Sequence, residues 1–377
     1  MNTVRMNVNR QQVLAYRVAA QGLHREGTNA DQLAVLDVGV QDFTSGELAR
    51  LAMDARLAAP PPADAFGPDR PLALVWSLRG APHVHRRAEL DSLAAALYPL
   101  SEQDAAGRLN ETGPSVARAG IPALEQYEIA ISAMRASVRA ATGKGAASTA
   151  VTKRIPKAMW RDCRPCKAQH ISDSAMRTSS LAAGLELQPG TAPPVLQPRR
   201  GARAPKRTDL DALRALVLGY LRLLGPATPV EVAGYLGARR PDLMAAWPDD
   251  LIEVRLEGRR AWLPAGSADA LTVPRDPDVV RLLGAFDPFL QARDRDLIVP
   301  DNALQKALWP VLGRPGALFV DGEVVGTWRT RASGKKLTVE VDAVAPLPPS
   351  TWRAVDAEAD RLGQVRGASD VTVTRAG

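Results

Sequence analysis

With 377 residues, 46% of them hydrophobic and 24% charged, the chain carries enough apolar material for several packed units. Two cysteines rule out a disulfide framework, no apolar run approaches membrane-spanning length, and the opening MNTVRMNVNR lacks a signal-peptide core, so a cytoplasmic protein is expected. The net charge of +7 is unevenly spread: residues 135–207 hold 15 lysines and arginines against three acids, while both flanks are slightly acidic, a footprint that points to a polyanion such as double-stranded DNA.

In chain order, Asn9 to Arg25 reads as a helix capped by Asn9, with Val13, Leu14, Ala20 and Leu23 at helical spacings and Gly27 just past its end. A second helix is expected from Ala30 to Val38. Gly39-Val40-Gln41-Asp42-Phe43 follows, and Thr44 or Ser45 can cap a third helix through Leu48, Leu51, Ala52 and Ala55. After Pro60-Pro61-Pro62, the alternation of Leu72, Leu74 and Trp76 predicts a half-buried strand. Arg79-Gly80 and Pro82 end that strand or set it on an edge. His83, His85, Arg86 and Arg87 then suit a wing that touches nucleic acid, although a surface hairpin with solvated charges fits equally well. Three helices, a strand and a wing make up a winged helix-turn-helix, placed at 1–120 with a connecting helical segment from Asp91.

Residues 121–207 read as a second, basic winged-helix unit. A helix over Ile121–Ala141 precedes Lys153, Arg154 and Lys157, then Trp160 to His170 and a helix capped by Ser172. Gln188–Arg207 is a linker. In a third unit, 208–275, Asp209 caps a helix bearing Leu213, Leu216, Tyr220, Leu221 and Leu224. Thr228-Pro-Val-Glu231 forms a capping box, and a hairpin over Leu251–Leu263 turns near Glu257-Gly258 with Arg255, Arg259 and Arg260 beside it. From 276 to 377 the pattern becomes a small antiparallel β-domain. It has a turn at Asp321-Gly322, a second at Ser333–Lys336, a helix over Ser350–Leu362 and a frayed end.

Taken together, the strand into RGAPHVHRRAEL, then WRDCRPCKAQHIS, FDPFLQARDRDLIVP and VDGEVVGTWR resemble the bacterial winged-helix family that includes the AlkZ-like DNA glycosylases. The resemblance spans roughly Val13 to Leu362. It implies three winged-helix units and a β-domain arranged in a C around duplex DNA. It also implies removal of an alkylated base, in some members from an interstrand crosslink. The family's catalytic signature is Gln, an apolar residue, then Gln or Asp, early in the first unit. Gln41 falls on the first position, but Asp42 takes the apolar one and Phe43 the second catalytic one. Asp42 can act if the loop shifts by one residue; otherwise it caps the coming helix.

The reading is therefore an α+β protein of tandem winged helix-turn-helix domains with a small C-terminal antiparallel β-domain. It binds duplex DNA as a nucleoid-associated monomer and excises alkylated purines through Gln41 and Asp42. The alternative is a non-catalytic DNA-binding or regulatory protein; RNA is less favoured, since helix-turn-helix units suit a B-form major groove. DNA contacts are expected from Arg79, His83, His85, Arg86, Arg87, Lys153, Arg154, Lys157, Arg255, Arg259 and Arg260. No cofactor is expected. Cys163, Cys166 and His170 have zinc-like spacing but lack a fourth ligand, so they read as packed thiols and a polar cap. Asp287, Arg293, Asp294 and Arg295 read as an ion-pair cluster ahead of a DNA contact.

Overall fold

The computed structural model describes residues 5–43, 45–109 and 120–375. Helix α1 (Arg10–Ala20) starts on a capping box: the Asn9 side chain accepts from the Gln12 N–H while the Gln12 side chain returns to the Asn9 N–H. The helix expected over Ala30–Val38 is instead two 3₁₀ turns, Ala30–Gln32 and Ala34–Asp37, parted at an extended Leu33. The reason lies in Arg86, whose guanidinium takes the carbonyls of Asp31 (2.7 Å) and Leu33 (2.9 Å) that a helix would have used. Helix α2 (Glu47–Asp54) begins at a left-handed Gly46, and Ser45 Oγ accepts from the Glu47 N–H at 3.3 Å. Thr44, the other expected cap, lies outside the described residues.

The main sheet has six strands in the order β2-β4-β3-β8-β9-β5: β2 (Val40–Gln41), β4 (Pro82–Arg86), β3 (Leu72–Trp76), β8 (Leu185–Leu187), β9 (Val195–Pro198) and β5 (Thr142–Gly143). It runs across the boundary expected at residue 120. Every residue of β3 is buried, so the expected half-buried strand and free wing are in fact the middle of this sheet. Pro82 is tolerated because it opens β4. Helices α3 (Leu90–Ala96), α4 (Glu102–Arg108), α5 (Ala123–Ser137) and α6 (Lys144–Thr152) follow in order, interleaved with β5. The hairpin of β6 (Trp160–Cys163) and β7 (Ala168–Ile171) then leads into α7 (Asp173–Ser180), capped by Ser172 as expected.

Residues 188–207, expected as a linker, instead carry β9, paired in the main sheet between β8 and β5. After them, α8 (Leu210–Leu224) is capped by Asp209 and α9 (Pro229–Leu236) by the expected Thr228–Glu231 box. The hairpin of β10 (Leu251–Leu256) and β11 (Arg259–Pro264) turns where Glu257 and Gly258 both take positive φ, 49° and 85°, as a tight turn of this hand requires. β1 (Arg5–Val8) adds to it in parallel with β10, tying the two ends of the helical part together. The C-terminal sheet runs β12 (Val280–Leu283), β13 (Gly316–Val320), β14 (Glu323–Ser333), β15 (Lys336–Ala343) and β16 (Asp370–Arg375). The residues expected to fray form β16, paired in parallel with β15, so the sheet is mixed. Helix α10 (Pro349–Arg366) packs on α2, where Arg361 holds Asp54 at 2.6 Å.

Candidate nucleic-acid interface

Gln41 and Asp42 sit where the edge strand β2 turns toward α2, and their surroundings differ. Asp42 is fully buried. One carboxylate oxygen accepts the Gly46 N–H at 2.8 Å and the other the Ala49 N–H at 2.9 Å, so the side chain satisfies two of the helix's orphan donors. Its own N–H donates to the Pro82 carbonyl at 2.9 Å, locking the loop to β4. Gln41 is half-buried, and among the described residues its side chain has no hydrogen-bond partner. Just before them, Gly39 has φ 77°, and a Cβ there would lie 2.3 Å from the His85 ring, so glycine is required.

That ring is not on a wing. His83 and His85 are 1% and 3% exposed, with ring centroids 6.0 Å apart. His83 Nδ1 lies 3.0 Å from the Ala81 carbonyl and His85 Nε2 3.0 Å from Ser77 Oγ. Burial drives His85 down to about 3 and His83 well below the usual histidine range, so both are neutral interior groups with no face for DNA. Arg86 is bound to Asp37 (2.7 Å) and Arg87 to Glu186 (2.6 Å), each also holding backbone carbonyls. Around the second hairpin, Arg255 and Arg260 meet Glu253, and Arg259 meets Glu231 at 3.1 Å. Lys153, Arg154 and Lys157 are exposed after α6, with Lys157 6.0 Å over the Trp160 ring.

Four other arginines lie within electrostatic reach of one another, and one of them, Arg314, reaches the Gln41 loop through Phe286. Phe43, 58% exposed, stands edge-on to Phe286 with centroids 4.7 Å apart. Arg314 lies 5.0 Å over the Phe286 ring, Arg295 4.9 Å over Trp309, and Arg79 5.1 Å over Tyr235. Arg293 donates to the Gly234 carbonyl at 2.8 Å. Among the described residues none of the four is ion-paired with a carboxylate. Their charges act on one another. Arg295 and Arg314 are lowered by burial first and then by neighbouring arginines, and Arg79 by burial of its guanidinium, with Arg293 adding to the effect. Four cations that oppose one another, with no carboxylate partner among the described residues, raise the local positive potential in a way that favours an anion beside them. Arg79 also lines a cleft of about 610 Å³ with Trp76, Tyr127 and Arg177, the last 5.3 Å over the Trp76 ring.

Of the residues expected to touch DNA, only Arg79 joins this group. The expected ion-pair cluster is split: Asp287 is held by buried Arg56 (both bonds 2.8 Å) and Asp294 by buried Arg17 (2.6 and 3.0 Å), which leaves Arg293 and Arg295 without them. Arg314 carries no signal in its own stretch of sequence. Cys163, Cys166 and His170 do come together at the β6–β7 tip, with their ligand atoms within 4.8 Å of one another. No helix among the described residues is long and apolar enough to cross a membrane.

The chain matches the family model described as "DNA glycosylase AlkZ-like" over residues 35–365. It is 28% identical over 177 residues to an interstrand DNA cross-link repair glycosylase of Streptomyces sahachiroi, a match covering 43% of this chain and 45% of that relative. The solved structure of the DNA glycosylase AlkZ of Streptomyces sahachiroi superposes with a TM-score of 0.73 over 98% of this chain and all of that one, at 20% identity, a likeness in fold.

Proposed function

The chain belongs to the AlkZ-like DNA glycosylase family, and on that premise we propose that it grips duplex DNA over Arg79, Arg293, Arg295 and Arg314 and hydrolyses the N-glycosidic bond of alkylated purines beside them. The observation that carries this reading is Arg314 over the ring of Phe286, which packs edge-on to Phe43, two residues from Gln41, in a group of arginines with no carboxylate partner among the described residues. In this reading the chain is three winged-helix units, 1–120, 121–207 and 208–275, with a β-domain over 276–377. It works as a monomer at the nucleoid in the cytoplasm. The order α8, α9, β10, β11 supports the third unit.

A purine alkylated at N7 or N3 is already cationic, so breaking its bond to C1′ returns the electron pair to the ring and releases a neutral base. The sugar becomes an oxocarbenium ion, and a water oxygen bonds to C1′ as its proton passes to solvent. The protein need only place that water and offset the developing charge. Gln41 is the residue for this, through a carboxamide that has no hydrogen-bond partner among the described residues. Asp42 serves by holding the loop on α2. The curated relative's name extends the substrate class to interstrand crosslinks.

A second reading, DNA binding without base removal, is favoured by Phe43 in the second signature position and by Asp42 being consumed as a cap. Incubation of the protein with a duplex carrying N7-methylguanine, followed by chromatography of free base, separates the two. Release above the spontaneous rate supports hydrolysis. Tight binding with no release from any alkylated duplex establishes the second reading.

A further inference from the structure

The β6–β7 hairpin carries a feature that DNA binding and base removal do not use. β6 ends at Cys163 and β7 begins at Ala168, its register partner, so Cys166 lies in the turn between them. Two residues along β7 from Ala168, on the same face, stands His170. The turn is closed by Lys167 with φ 51°, a left-handed conformation that costs a non-glycine residue energy and folds the Cys166 end back toward Cys163. The result is two sulfurs and an imidazole nitrogen within 4.8 Å of one another. Tetrahedral zinc, with bonds of about 2.3 Å to sulfur and 2.0–2.1 Å to nitrogen, sets such atoms roughly 3.5–3.8 Å apart. Closing the set therefore takes about an ångström of side-chain movement.

The imidazole is already oriented for the task. His170 Nδ1 lies 2.6 Å from the Ile171 carbonyl and must donate to it, which leaves the lone pair on Nε2. A carbonyl fixing the tautomer of a ligand histidine is the usual outer partner of a zinc site. The two acids nearest in sequence are engaged elsewhere: Asp162 accepts from the Gln169 amide at 3.0 Å, and Asp173 is held by Lys144 at 2.6 Å and Arg177 at 2.7 Å. Two thiolates and one imidazole select a soft or borderline ion that accepts tetrahedral geometry. From this placement we propose that the hairpin tip binds one zinc ion through Cys163, Cys166 and His170, with water in the fourth position. Among the described residues no fourth protein ligand joins these three, and that gap, which argues against metal in the sequence, becomes the open position of the site.

The ion pins the hairpin directly ahead of α7, which carries Arg177 into the cleft wall. The test uses the full-length protein, stripped with chelator, kept reduced and titrated with cobalt. One equivalent should produce a thiolate-to-cobalt charge-transfer band and the visible bands of a tetrahedral site, and one equivalent of zinc should discharge them. Zinc should also slow modification of both thiols by a thiol reagent at least tenfold. Cys163→Ser, Cys166→Ser and His170→Gln should each weaken cobalt binding at least tenfold while circular dichroism stays unchanged, and His24→Gln should leave it intact. A reduced protein that gives no thiolate band, or a band that survives Cys163→Ser with Cys166→Ser, overturns the site.

Discussion

Asp42 spends both carboxylate oxygens on backbone N–H groups at the start of α2, whereas Gln41 beside it has its amide free of described partners. The two residues should therefore fail in different ways. Asp42→Asn keeps one acceptor, replaces the other with a donor facing the Ala49 N–H, and should cost about 1–2 kcal/mol of stability, read as a lower urea midpoint. Gln41→Ala should leave that midpoint unchanged. The histidines offer a pH test. His85 is held down to about 3 from an ordinary 6.5 and His83 is lowered too, so below pH 6.5 the unfolded chain takes up protons that the folded one refuses. Their contribution is complete above about pH 6.5 and is lost as pH falls toward 3, at up to ~2.7 kcal/mol per pH unit for two protons. Urea midpoints at pH 7 and pH 5 should differ more in the wild type than in His85→Asn. Nothing in HVH distinguishes two interior rings from two surface contacts, because alternation reports a shared face and not which side of it is wet.

Several elements were legible because their signals are local. The Asn9, Asp209 and Thr228 caps and the Glu257-Gly258 and Asp321-Gly322 turns depend on neighbours within a few residues. The 3₁₀ turns at Ala30–Asp37 were not legible, since Arg86, some fifty residues away, sets them. The same holds for the pairs that position α2. Arg56 and Asp287 are wholly buried and bonded through both nitrogens, and Arg17 with Asp294 repeats the arrangement on α1. In sequence, Asp287 and Asp294 look like partners for Arg293 and Arg295, and only the fold reassigns them. Asp287→Asn should strand a buried guanidinium and cost about 3–5 kcal/mol in equilibrium unfolding. A change below ~1 kcal/mol would mean that water reaches Arg56.

Across the chain, surplus positive charge and the candidate site do not coincide. The basic stretch 135–207 supplies Lys153, Arg154 and Lys157, but Arg79, Arg293, Arg295 and Arg314 come from the two flanks with near-balanced charge. A charge count along the sequence points to DNA without locating its seat, because an arginine matched by a carboxylate counts the same as one left bare. Removing Arg293 and Arg314 should reduce the slope of log affinity against log salt by about 0.9 for each phosphate no longer neutralised. The division of labour between this cluster and Gln41 is best tested by single-turnover release of N7-methylguanine from one duplex, with affinity measured on the same DNA. Gln41→Ala should cut the rate at saturation at least about tenfold, ~1.4 kcal/mol of barrier, with affinity unchanged. Arg293→Ala with Arg314→Ala should weaken affinity and spare the saturated rate. A Gln41→Ala protein that releases base at the wild-type rate would contradict the account.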